Sequence, residues 1–170
     1  MAGLRAAAYG VPFQPIRGFD GSDIPEQSGI FTIEDPYTKE ELYAIPALKP
    51  DWALIHVQKS DPQGNAQILG NQQFDVEMTR AAQKGVILTT EKIVAQEEIA
   101  TEPERTAIPG FLVKAVVETP GGASPCSCHP YYGVDKDEMA RYLSLTREKG
   151  GIGKYLSSTD ITHKQDAVTK

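Results

Sequence analysis

Three stretches of this 170-residue chain carry residue types at spacings that could do chemistry. Cys126, Ser127, Cys128 and His129 are consecutive, a pattern that invites a metal reading. Zinc held by cysteines needs four ligands, usually as two separated pairs, and the sequence has no second pair. His56 adds a ligand only if folding brings it there. A reactive thiolate would need a base or cation beside it, and no feature of the sequence identifies one. No bound metal is expected.

The second stretch, Asp61-Pro62-Gln63-Gly64-Asn65-Ala66, follows an apolar run of strand length. Ligands of parallel α/β sheets bind beyond the carboxyl ends of strands, where this loop stands. The same residues also make an ordinary turn, with Pro62 presetting the corner and Gly64 accepting a positive φ. The two readings are compatible. Ile108-Pro109-Gly110-Phe111 is a similar tight turn that feeds a strand. The third candidate, His56, lies inside an apolar run and reads by default as a hydrogen-bonded imidazole of the core. No serine elbow, Walker loop or dinucleotide-binding glycine pattern is present, so the chain shows no complete catalytic set of its own.

The elements that must position these groups follow from periodicity. Met1–Tyr9 reads as a helix with Leu4, Ala7 and Ala8 on one face, and Val11–Pro15 as extended because Pro12 and Pro15 restrict the residues before them. Residues 17–50 carry seven Gly and Pro residues and read mostly as loop, with short strands at Ile30–Ile33 and Leu42–Ile45. A loop of that length is usually functional or packed on a partner. Trp52–Val57, Gly85–Thr90 and Phe111–Glu118 are apolar runs, and Phe74, Met78, Ala81 and Ala82 have helical spacing over Phe74–Lys84. That alternation predicts an α/β fold: an open, mainly parallel sheet with crossover helices and strands buried on both faces. Asp135–Lys149 is the clearest helix, opened by Asp135 and Glu138 and closed by Gly150–Gly151.

The totals exclude several classes. The chain is 40% hydrophobic and 24% charged, with a net charge of −6 and no dense Lys/Arg cluster, so nucleic acid is not an expected partner. No apolar run reaches the eighteen or so residues of a membrane span. The Ala-rich start meets acidic residues early and lacks an apolar signal region, which points to a cytoplasmic protein. Cys126 and Cys128 are too close for an unstrained disulfide and are expected as thiols.

Read in order, these segments resemble the α subunit of glutaconate CoA-transferase and its relatives, the family I coenzyme A transferases. The likeness runs through Gly10–Gly18, Gly21-Ser22-Asp23, Asp35-Pro36-Tyr37, Pro46–Asp51, Ala53–Gln58 and Asp61–Ala66. It continues through Asp75 with Glu77, Thr89-Thr90-Glu91, Ile108–Phe111, Ala115–Glu118, Gly122-Ala123 with Pro125 and Cys128, then Tyr132 and Asp135. The resemblance implies a partial α-subunit-like domain over residues 1–156, lacking the usual subunit's N-terminal part, and a polar tail over 157–170. It implies coenzyme A as a substrate, with no permanently bound cofactor. The implied partners are a β subunit, an acyl-CoA and a carboxylic acid substrate. The attacking carboxylate is a glutamate of the β subunit in glutaconate-type enzymes, and related hydrolases draw on the α subunit upstream of this portion. A ring-cleaving hydrolase of the same build and a non-catalytic module are the alternatives. The residues expected to hydrogen-bond acid or thioester oxygens are Gln58, Gly64, Asn65 and Ser124, with Ser22 beside them. Ser124 stands where the family commonly has histidine, and Asp160–Lys170 departs from the family's last helix.

Overall fold

The computed structural model describes residues 1–72 and 74–158. The chain divides into two compact units, Met1–Gly122 and a second that begins at Ala123.

The first unit opens with helix α1 (Ala2–Ala8), which packs on β3 and on α3, described below. Gly3 permits the approach: a Cβ there would lie 2.8 Å from the Pro46 carbonyl oxygen. Strand β1 (Phe13–Ile16), the short helix α2 (Ile24–Gln27), and strands β2 (Phe31–Glu34) and β3 (Glu41–Pro46) follow. The strands form an antiparallel sheet in the order β1-β3-β2, with Phe13 opposite Pro46 and Phe31 opposite Ala44. The two short strands expected within residues 17–50 are thus present as β2 and β3, and they join β1 in one small sheet. What local periodicity does not show is the pairing of β1 with a strand some thirty residues on.

Strands β4 (Trp52–Ser60), β5 (Ala66–Gln67), β6 (Gly85–Ile93), β7 (Thr106–Ile108) and β8 (Val113–Glu118) form a five-stranded sheet in the order β7-β5-β4-β6-β8. β4, β6 and β8 are parallel, and the short β5 and β7 add antiparallel pairings at one side. Helix α3 (Asp75–Ala81) makes the crossover from β5 to β6, and α4 (Gln96–Ala100) lies between β6 and β7. This is the mainly parallel α/β arrangement the alternation predicts. One face of the sheet carries the core: Ala53, Ile55, Val57, Ala66, Val86, Leu88 and Ile108, with Met78 and Ala82 packed against it.

Burial on both faces does not hold along β4. Its residues alternate, and Leu54 is 73% exposed beside Ala53 at 6%. The apolar run reads as two-sided because Trp52 and Leu54 are hydrophobic, yet nothing among the described residues buries them. α4 is tied to the sheet by Lys59, whose Nζ lies 2.7 Å from Glu98 Oε1, and that hydrogen bond holds the Glu98 carboxyl below its ordinary pKa.

In the second unit Cys128 bridges to Tyr132, and helix α5 (Lys136–Thr146) begins at Asp135, whose carboxylate accepts the Glu138 N–H at 2.9 Å. The start signal is thus a real cap. Helix α6 (Gly151–Ser158) departs from the sequence pattern, since two of its first three residues are glycines of poor helix propensity. A Cβ on Gly151 would fall 1.6 Å from the Leu145 carbonyl oxygen, so that crossing admits no side chain. Tyr142 and Tyr155 meet edge to face at 5.0 Å, and the Tyr155 hydroxyl's bond to Glu138 raises its pKa. Cys126 is exposed and Cys128 buried, and the two are not joined in a disulfide. Of the polar tail, Ser157 and Ser158 belong to α6 and residues 159–170 lie outside the described residues.

Two outcomes test this packing. Leu88 is fully buried at the centre of the core, so Leu88→Ala lowers stability by about 2–5 kcal/mol in urea unfolding. Asp35 closes the β2–β3 connection by accepting the Tyr37 N–H at 2.8 Å and the Thr38 hydroxyl at 3.0 Å. The Tyr37 N–H first, and then the Thr38 hydroxyl, lower its pKa. The stabilisation from a depressed carboxylate is present above its unfolded pKa and is lost as pH falls through the folded one. Between neutral pH and that acid range, wild type therefore loses more stability than Asp35→Asn.

Candidate functional site

The loop joining β4 to β5 is built around Asp61, whose side chain is fully buried. Its Oδ1 accepts the Asn65 N–H at 2.9 Å and its Oδ2 accepts Asn65 Nδ2–H at 2.7 Å. The Asp61 N–H donates to the Asn65 carbonyl at 3.0 Å and Gly64 N–H to the Asp61 carbonyl at 3.0 Å. Gly64 has φ +88°, and a Cβ there would lie 2.6 Å from Val113 Cβ. Asn65 Oδ1 accepts the Gly110 N–H at 2.9 Å, locking this loop to the turn that leads into β8. A Cβ on Gly110 would lie 2.5 Å from the Gln63 carbonyl oxygen. The exposed tip is Pro62 and Gln63.

Gln58, near the end of β4, turns its amide to the backbone of Leu69: Nε2 donates to the carbonyl at 3.2 Å and Oε1 accepts the N–H at 3.0 Å. Ser22 lies on the exposed turn before α2, where its Oγ accepts the Ile24 N–H at 3.2 Å. Ser124 is exposed in the second unit, on a segment where the Ala123 N–H donates to the Tyr132 hydroxyl at 2.9 Å. Gly64 and Asn65 are thus parts of one locked loop. These hydrogen bonds of Gln58, Asn65 and Ser22 all serve the chain's own backbone and side chains.

Sequence reasoning missed the partner of His56. The parallel register sets His56 opposite Thr89, so Glu91, two residues on, shares their face of the sheet. His56 Nε2 lies 2.8 Å from Glu91 Oε1, and Nδ1 lies 2.9 Å from Thr89 Oγ1. The second carboxylate oxygen, Glu91 Oε2, accepts the Gly121 N–H at 2.8 Å. Glu91 is 8% exposed. The expectation of a hydrogen-bonded imidazole holds, but His56 is half-buried and lies on the face of the sheet opposite the hydrophobic core. Its acidic partner is legible only once the register of β4 and β6 is known, because the two residues are 35 positions apart.

The three parallel strands, flanked by helices and followed by polar loops, define an α/β domain of the mainly parallel class. The chain belongs to the coenzyme A transferase family, whose pattern matches residues 1–119. The α subunit of glutaconate CoA-transferase from Acidaminococcus fermentans is 35% identical, over 84% of this chain and 50% of that protein. The crystal structure of that enzyme superimposes with a TM-score of 0.85 at 29% identity, covering 91% of this chain and 54% of the other. The cholesterol ring-cleaving hydrolase IpdA subunit of Mycobacterium tuberculosis is 33% identical, over 95% of this chain and 60% of that protein. A variant of the decarboxylase AibA/AibB superimposes with a TM-score of 0.79 at 36% identity, covering 92% of this chain and 56% of that one. The chain spans about half the length of these relatives.

The locked loop gives a direct test. Asn65→Ala removes one donor to Asp61 and leaves the Gly110 N–H without its acceptor, so stability falls by about 1–3 kcal/mol. Thermal unfolding of Asn65→Ala beside Asn65→Asp checks it, the aspartate failing likewise because it sets a second carboxylate against the first.

Proposed function

We propose that this chain contributes a scaffold and one wall of the substrate site to a CoA-transferase, which moves coenzyme A from an acyl-CoA thioester to an acceptor carboxylic acid. The observation that carries this reading is the likeness to the glutaconate CoA-transferase α subunit in both sequence, over 84% of this chain, and fold, over 91% of it.

In the proposed reaction the thioester carbonyl is attacked by a glutamate carboxylate of a β subunit, giving a mixed anhydride and releasing the CoA thiolate. The thiolate attacks the glutamyl carbonyl, forming a glutamyl-CoA thioester and freeing the first acid. The acceptor carboxylate then repeats the two steps in reverse. Splitting one hard exchange into two easier ones is the gain of covalent catalysis, and backbone donors stabilise each tetrahedral oxyanion. Within this scheme Gly64 and Asn65 hold the loop after β4 in shape, and Gln58 fixes the strand end against Leu69. Ser124, exposed and on a glycine-rich stretch, is the side chain proposed to reach acid or thioester oxygens directly, with Ser22 as a lesser contact.

The likeness to IpdA favours a second reading, in which the assembled enzyme uses water to open a carbon–carbon bond of a CoA-linked ring. Product analysis separates the two, because transfer consumes an acceptor acid mole for mole and hydrolysis does not. The expected outcome is no CoA exchange by this chain alone, and exchange once the part of the relatives that it does not span is supplied together with a β subunit. Exchange by the chain by itself, or turnover with no acceptor acid, would overturn the transferase reading. In the active assembly Ser124→Ala should lower kcat/KM by about 2–10-fold, the worth of one hydrogen bond to substrate.

A further inference from the structure

Glu91 is a buried carboxylate with both oxygens committed, one to an imidazole and one to a loop amide. Its Oε2 accepts the Gly121 N–H, and its Oε1 faces His56 Nε2. The other imidazole nitrogen faces the Thr89 hydroxyl at 2.9 Å. The ring therefore keeps no nitrogen for a substrate proton, which sets it apart from a catalytic base.

What the pair does hold is the turn after β8. Thr119-Pro120-Gly121-Gly122 has proline second and glycine third, with Gly121 at φ +75°, the residues a type II turn requires. The Thr119 N–H donates to the Thr90 carbonyl at 2.7 Å, and the Gly122 N–H closes the turn on Thr119 at 3.0 Å. A Cβ on Gly122 would lie 2.7 Å from His56 Cε1, so the imidazole is the floor on which this glycine rests. The turn's own hydrogen bonds already close it. We infer that Glu91 and His56 add something else: they fix its orientation on the sheet.

Removing a buried charge's partner misplaces what the charge holds, and a misplacement near 1 Å costs on the order of 100-fold in rate when geometry governs the reaction.

The test uses the assembled enzyme with its β subunit, carrying Glu91→Gln, His56→Gln or His56→Ala. CoA exchange kinetics and hydrogen–deuterium exchange of the peptide spanning Gly121 are measured on each. Glu91→Gln and His56→Ala should lower kcat by about 10–100-fold with KM for acyl-CoA within about twofold. Gly121 exchange should quicken in both. His56→Gln, whose amide can still donate to Glu91, should recover part of both readouts. Unchanged Gly121 exchange, or a lowered melting temperature with kcat intact, would overturn the positioning role. If the wild-type assembly exchanges no CoA, the transferase reading fails, and the Gly121 exchange still decides whether the pair holds the turn. Should His56→Ala fail to fold, the two glutamine variants carry the test.

Discussion

Carboxylates withdrawn from water must be met by donors, and in the first unit two of them organise the loops around the main sheet. Asp61 and Glu91 are both buried, and each spends its oxygens on a loop amide and one side chain. Hydrogen bonds to an ionised acceptor are roughly twice as strong as neutral ones, while an unmet buried charge is strongly destabilising. The two loops that follow β4 and β8 are thus held by charge as well as by turn geometry. The hydrophobic core below them, from Ala53 through Ile108, supplies the rigid floor.

Much of this is legible from residue order. The alternation of apolar runs with a helical stripe at Phe74–Ala82 gives β4, α3, β6 and β8 to within a few residues, and the Asp135 cap is visible as a start signal. The turn readings of Asp61–Ala66 and Ile108–Phe111 match the positive φ of Gly64 and the short helical turn at Gly110–Leu112. The rest is hidden for definite reasons. β5 and β7 are two and three residues long, too short for any period to show. In the β1-β3-β2 sheet the strands β2 and β3 are legible, and the hidden part is the pairing of β1 with β3 across some thirty residues. His56 and Glu91 become neighbours only through the parallel register, which no single segment encodes.

The candidate contacts show the same division. Gly64 and Asn65 stand out because a loop after a strand is where ligands bind, and the structure puts them at the heart of such a loop. Their own bonds are spent inside it, on Asp61 and Gly110. Gln58 reads as a polar residue at a strand end, and its amide serves the backbone of Leu69. A sequence shows that a residue is polar and where in the element it falls. It does not show which acceptor will claim it first. Fold and chemistry also separate at this level: the relatives named for transfer, hydrolysis and decarboxylation share this architecture, so the reaction lies in side chains set upon it.

The interlocked glycines at 64 and 110 carry a consequence for how such a scaffold diversifies. Neither position has room for one added carbon, since Val113 and the Gln63 carbonyl already occupy it. Variation around the β4 loop is thereby channelled into Pro62 and Gln63, the two exposed residues at its tip. Those two side chains can be exchanged without disturbing the locked base beneath them, whereas any residue other than glycine at 64 or 110 must displace it.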